Sequence, residues 1–177
     1  MDTIKKYIVL VLIGIIAFTS CETEEGYEDY TVENTNLSDM SGDWYVEVFV
    51  DDDLVSDYIR ITTSNSASSE NSLQIYDHFN FWWMNVAVPA DLSSLTFSGT
   101  DLLSSVEDDD TDTTDVFETY DVNVNVSNGS VIKDGTVTSG TGNVADLISF
   151  DVEFADDPGT IYHFEGYKRS GFLEDEH

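Results

Sequence analysis

Ser41-Gly42-Asp43-Trp44-Tyr45-Val46-Glu47-Val48-Phe49-Val50 is the stretch on which the fold turns. A glycine allows a tight backbone entry, and an indole follows two residues later. Trp44, Val46, Val48 and Val50 fall on one face of an extended strand, with Glu47 on the other. One face is thus built to be buried, as in the first strand of an antiparallel barrel or sandwich.

Downstream, the same period-two signal recurs between turn-forming clusters. Asp51-Asp52-Asp53 reads as a turn, because aspartate bonds its own backbone there. Strands are expected over 57–63 and 72–77. A further one covers 80–88, rich in aromatic and β-branched residues and ended by Pro89. A short strand over 92–97 precedes a Ser98-Gly99-Thr100 turn. Val122, Val124 and Val126 alternate with Asp121, Asn123 and Asn125, and Asn128-Gly129 predicts a hairpin into a return strand over 130–138. Ile148, Phe150, Val152 and Phe154 then share one face, Asp156-Asp157-Pro158-Gly159 turns, and 160–168 is the last strand. Eight or nine strands with short turns, and no convincing amphipathic helix, predict an all-β protein.

Upstream, Lys5-Lys6, the apolar run Tyr7 to Phe18 and the small residues Thr19-Ser20 form a secretory signal over 1–20. The apolar run is too short to span a bilayer, which takes roughly 20 residues. Phe18-Thr19-Ser20-Cys21 resembles a loose bacterial lipobox, and Cys21 is the only cysteine. That resemblance implies a lipid anchor on Cys21, stable without a membrane helix because each buried CH₂ contributes about 0.8 kcal/mol. Residues 21–40 read as an acidic flexible tether, and 41–177 as one domain. The acid cluster Glu22-Thr23-Glu24-Glu25 resembles the surface-export signal of Bacteroidota-type lipoproteins. The expected location is therefore the outer membrane, facing the periplasm or the exterior.

The formal charge is −30, and beyond the signal only Arg60, Lys133, Lys168 and Arg169 are basic. Such a surface repels phosphate backbones, which excludes nucleic acid as a partner. No disulfide is available, so the core alone must hold the fold.

Gly42-Asp43-Trp44 resembles the Gly-x-Trp that opens the lipocalin barrel. The resemblance implies a tryptophan on the barrel floor, packed under a basic residue of the last strand, here Lys168 or Arg169. Five motifs occur in order: Gly42-Asp43-Trp44-Tyr45-Val46, Asn80-Phe81-Trp82, Leu95-Thr96-Phe97, Asp157-Pro158-Gly159-Thr160, and the run Gly166 to Asp175. Together they resemble the Bacteroidota lipoprotein family labelled "lipid-binding putative hydrolase". The implied fold is a single lipocalin-like antiparallel barrel. Lys168 stands where Gly-Tyr-Arg is expected of that family.

The chemistry-bearing residues are few. No Gly-x-Ser-x-Gly elbow occurs, and His78 and His163 are the histidines available to a serine triad. His163 shares a strand face with Glu165, but no serine is marked out as a nucleophile. With 36 acidic residues, no carboxylate pair stands out as a glycosidase set. Asp108 to Asp115 offers oxygen ligands but lacks the glycine and closing glutamate of a calcium loop, and reads as a solvated loop. No metal or cofactor is expected. The aromatic set Trp44, Tyr76, Trp82, Met84, Tyr120, Phe150 and Phe164 is expected to point inward, lining or plugging the barrel. The leading expectation is a lipoprotein that binds an apolar or amphipathic, lipid-like molecule. A filled barrel serving as a surface interaction module, and a weak hydrolase, are the alternatives.

Overall fold

The computed structural model describes residues 37–67, 69, 71–108 and 118–177. The signal segment, Cys21, most of the acidic tether and the greater part of the Asp108–Asp115 loop lie outside the described residues.

Eight strands run in chain order: β1 (Gly42–Val50), β2 (Asp53–Asn65), β3 (Ser72–Tyr76), β4 (Asn85–Asp91), β5 (Thr96–Asp108), β6 (Glu118–Val137), β7 (Val144–Phe154) and β8 (Tyr162–Lys168). Each pairs antiparallel with the next, and β8 pairs back onto β1 from Trp44↔Lys168 to Phe49↔His163. The result is a closed barrel, the all-β fold the alternation predicts. Closure removes the unpaired edges that an open sheet would present. Trp44, Val46 and Val48 are buried on the inner face of β1, as are Ile148, Phe150, Val152 and Phe154 on β7.

Four local expectations are corrected. Asn128-Gly129 does not turn; it lies inside β6, a single 20-residue strand. Residues 127–130 of β6 stand opposite 151–149 of β7, so one extra residue is absorbed as a bulge. Asn128 takes the left-handed conformation (φ 54°), and its amide donates to Asp151 at 2.6 Å. Gly129 lets Phe97 of β5 lie across it; a Cβ there would collide with the Phe97 ring and carbonyl. The glycine thus serves a close packing contact rather than a turn.

Ser98-Gly99-Thr100 is likewise a bulge within β5, where the register shifts between Phe97 and Leu102. Pro89 sits inside β4 rather than after it. It falls where β4 and β5 lose register, between Val86↔Ser104 and Ala90↔Phe97, so its missing N–H weakens no regular ladder there. The aromatic stretch before Asn85 is a loop, and β4 begins only at that residue.

The folded unit also reaches back past residue 41. Leu37 and Met40 are fully buried in the core. The Trp44 indole N–H donates to Thr63 Oγ1 (2.7 Å), whose hydroxyl donates to the Met40 carbonyl (2.6 Å). One buried hydroxyl thereby ties the entry turn to the floor. Lys168 Nζ lies 5.6 Å from the Trp44 ring centroid, so Lys168 is the basic residue over the floor tryptophan. Arg169 instead bonds Glu176 through both Nε and Nη2. Gly42 has φ 152°, a conformation that side-chain-bearing residues rarely adopt, which accounts for the glycine two residues before the indole.

The C-terminal tail folds against the outer faces of β1, β2 and β8. His177 stacks on Tyr58 at 4.1 Å, and Tyr45 donates to Glu176 at 2.7 Å. Burial would raise the Asp175 carboxyl, but bonds from Ser170 and Thr141 hold it well below the usual carboxylate range. Tyr45 and Tyr167 face outward on their strands yet are buried beneath this tail.

Trp44→Ala is expected to cost about 3–5 kcal/mol, because the indole is fully enclosed and its loss also frees Thr63. Urea unfolding checks this; a loss below roughly 1 kcal/mol, the scale of a surface change, would remove Trp44 from its place as floor of the barrel.

Candidate functional site

The β3–β4 connection lies at the end of the barrel opposite Trp44. β1 starts at the floor, so the β1–β2, β3–β4 and β7–β8 connections all fall at the far end, the mouth. Asp77 follows β3, and its N–H donates to the Met84 carbonyl (3.0 Å), closing residues 77–84 into a loop. Its carboxylate points into that loop. Oδ1 accepts from the backbone N–H of Phe79 (3.1 Å) and Met84 (3.0 Å); Oδ2 accepts from Phe81 (3.3 Å) and Trp82 (2.8 Å). Four donors that no strand satisfies are gathered on one buried side chain. His78, Phe79 and Trp83 all have φ between 53° and 62°, a conformation costly for bulky residues. The Asp77 bonds offset that cost. Burial pushes the Asp77 carboxyl up; the four N–H donors pull it down, and burial prevails.

The loop lays aromatic rings across the mouth. Phe81 meets Phe164 edge to face at 5.5 Å and Tyr162 at 5.3 Å. Trp82 stacks on Phe154 at 4.7 Å, with 17° between planes. Beside this cap is a groove of about 450 Å³, open to solvent and lined by Phe81, Trp82, Trp83, Tyr120 and Asp156. Asp156 comes from the β7–β8 turn. It accepts from the Trp82 indole N–H (3.3 Å) and the Tyr120 hydroxyl (2.5 Å). Burial, with Asp156 alongside, pushes the Tyr120 hydroxyl pKa up. Trp83 and Tyr120 stand nearly perpendicular, 86° between planes and 6.4 Å apart, and form a corner.

The seven aromatic and methionine candidates separate into three groups. Trp82 and Tyr120 line the groove. Trp44, Met84, Phe150 and Phe164 lie in the core, where Phe150 and Phe164 stack at 4.8 Å with 4° between planes. Tyr76 does not point inward. Leu73 and Ile75 occupy the inner face of β3, so strand parity sends Tyr76 outward, against His78 and Phe79. Cys21 lies outside the described residues. Phe81, Trp83, Asp156 and Asp77 were not singled out as ligand or lid residues from the sequence. Three adjacent aromatics, Phe81-Trp82-Trp83, are the signal that could have found the groove, since a strand cannot turn neighbouring side chains to one face.

His78 and His163 do not assemble a hydrolytic triad among the described residues. His163 Nδ1 lies 2.7 Å from Asp151, and Nε2 lies 3.6 Å from Glu165, on the outer face. His78 Nε2 bonds Thr62 Oγ1 at 2.6 Å, and that hydroxyl donates to Asp43. Their hydrogen-bond partners are Asp151 for His163 and Thr62 for His78, and neither lines the groove. His177 Nε2 does lie 2.8 Å from Ser139 Oγ, but in the C-terminal tail on the outer face, away from the groove.

The model of a family described as "Lipid-binding putative hydrolase" matches residues 29–173. The chain belongs to that family. A search of curated proteins returned no match. In this member of the lipid-binding family, the matched residues span the whole barrel and both halves of the aromatic mouth.

Asp77→Ala is expected to cost about 3 kcal/mol by stranding four loop N–H groups, and to speed amide exchange at Phe81, Trp82 and Met84 about a hundredfold. The pH dependence has a definite sign. Because the folded pKa of Asp77 lies above its ordinary 3.8, its contribution is fully present below that value and fades as pH rises through the folded pKa. Urea melts of the wild type and Asp77→Asn across acidic pH should therefore converge or cross as pH rises above 3.8; parallel curves would contradict it.

Proposed function

We propose that this protein is a membrane-anchored lipoprotein that holds an amphipathic, lipid-like molecule at the aromatic mouth of its barrel. One observation carries the proposal: an open groove of about 450 Å³ in which the exposed Trp83 and the half-buried Phe81, Trp82 and Tyr120 surround one carboxylate among the described residues. Ligand sites are mostly apolar with a few placed polar groups, and this groove has that composition. Trp83 is 40% exposed and Phe79 41%, large apolar areas that water solvates poorly. The lipid-binding description of the family supports the same class of ligand.

The site is assigned to the mouth rather than the barrel interior, because the described inner side chains pack on one another. The parallel Phe150–Phe164 pair occupies the centre, and Phe154 and Trp44 are fully buried. A chain entering deeper would first have to displace Phe81 and Trp82. That filled centre favours a second reading, in which the exposed aromatic mouth docks a protein surface and the barrel is only a scaffold. The anchor is assigned to a diacylglyceryl group on Cys21, with the acidic tether holding the domain off the outer membrane, on its periplasmic or external side.

Calorimetric titration of the purified protein with a single-chain lysolipid tests the ligand. Saturable binding, weakened about tenfold by Trp82→Ala, is expected from the loss of a ring of this size. Absence of binding would favour the docking reading. For the anchor, cells fed labelled palmitate should label the wild type and not Cys21→Ser; equal labelling of both would remove Cys21 from that role.

A further inference from the structure

We propose that the molecule taken by the mouth groove carries a cationic, quaternary ammonium head, an inference that rests on the groove being the ligand site. Its polar equipment is one-sided. Among the described residues Asp156 is the only charged one lining it, and Asp157 follows it in the same turn. The ion pairs of Lys133 and Arg169 are made with Asp39, Asp146, Asp43 and Glu176. None of them reaches Asp156 or Asp157, so among the described residues the negative charge at the mouth has no ion-pair partner. An anionic head would meet that charge with no cation to receive it.

The rings point to the same chemistry. Trp83 and Tyr120 meet at 86°, and Trp82 closes the third side with its indole N–H on the carboxylate. Ring faces are the negative side of the aromatic quadrupole, and a cation held between perpendicular rings meets more than one of them. The carboxylate already accepts from Trp82 and Tyr120, which fix its direction and occupy acceptor positions on both oxygens. A primary ammonium needs free acceptors for its three N–H groups. A trimethylammonium has no N–H and needs only negative charge and ring faces, which is what this groove offers. A neutral sugar fits less well: Phe154 covers one face of Trp82, and among the described residues a single carboxylate is the only charged hydrogen-bonding group in the lining. The apolar side of the groove, Phe81 beside Trp82, leaves a surface for the adjoining acyl chain.

The test is calorimetric titration of the purified protein at about physiological salt with three amphiphiles of equal chain length, each below its micelle concentration. They are dodecyltrimethylammonium, dodecyl maltoside and dodecyl sulfate. Tetramethylammonium is the tail-free control. The expected order is cationic over neutral by about tenfold or more, with the sulfate weakest. Asp156→Asn and Trp83→Ala should each erase most of the cationic preference while the maltoside affinity changes little in Asp156→Asn. Asp134→Asn, an exposed carboxylate at a β6 bend outside the groove, should leave the preference intact. Equal binding of all three amphiphiles would overturn the cationic head and leave the lipid-binding proposal standing. If none binds, both fall. A preference that Asp134→Asn reduces as much as Asp156→Asn would show general attraction to an acidic protein and overturn the site. Tetramethylammonium binding as tightly as the twelve-carbon cation would overturn the amphiphile half.

Discussion

The pairing of β8 back onto β1 is the constraint on which the rest of the molecule depends. It satisfies the ladder on both sides of every strand, and it also fixes the interior. Eight strands enclose a space that side chains just fill or that holds one small ligand. Here the inward positions carry Trp44, Phe97, Phe150, Phe154 and Phe164, and these rings occupy the space themselves. A barrel filled this way spends its interior on stability. Recognition is then left to the connections, where side chains can be changed without disturbing the ladder.

The two ends are closed by different physics. At the floor, Trp44 is enclosed on all sides, and its one polar atom is satisfied by Thr63, which in turn holds the entry turn. At the mouth, one carboxylate makes more of the cap's hydrogen bonds than any other side chain. Phe81 and Trp82 cover the core only while Asp77 gathers four backbone donors. Opening the floor would break the core. Opening the mouth would break the bonds of Asp77, the side-chain bonds of His78, Asn80 and Trp82, and the contacts of a few rings. The mouth is therefore the end with the lower cost of local rearrangement.

What the sequence displayed, and what it concealed, follows from how far each signal reaches. Alternation in β1 and β7 is local, so inward Trp44 and Phe150 were legible; the lipocalin resemblance implied a basic residue over Trp44, and the structure decides for Lys168 over Arg169. Asn128-Gly129 misled because its pattern is a turn signal, whereas the glycine answers to Phe97 on a neighbouring strand. Tyr76 was misplaced by treating aromaticity as a sign of burial when the parity set by Leu73 and Ile75 decides. Trp82 and Tyr120 were recognised as ring residues, but as interior ones. Asp77 looks like any of the other acids in this acidic chain. Its distinction lies in four N–H groups that converge only after the loop has closed.

That acidity bears on the mouth in a limited way. A formal charge of −30 raises the concentration of cations near the whole surface. At physiological ionic strength, however, screening acts over about 8 Å, and distant carboxylates cannot distinguish one bound head group from another. The basic residues do not change this at the groove. Lys133 is paired with Asp39 and Asp146, Arg169 with Glu176, and Lys168 lies over the floor. Arg60 stands on β2 beside His78, where it reinforces burial in lowering that histidine, and it does not line the groove. Selectivity at the mouth must come from charges within a screening length of the bound head. Among the described residues Asp156, held in direction by Trp82 and Tyr120, is the one that lines the groove, and the distant surface charge acts on approach and solubility rather than on choice.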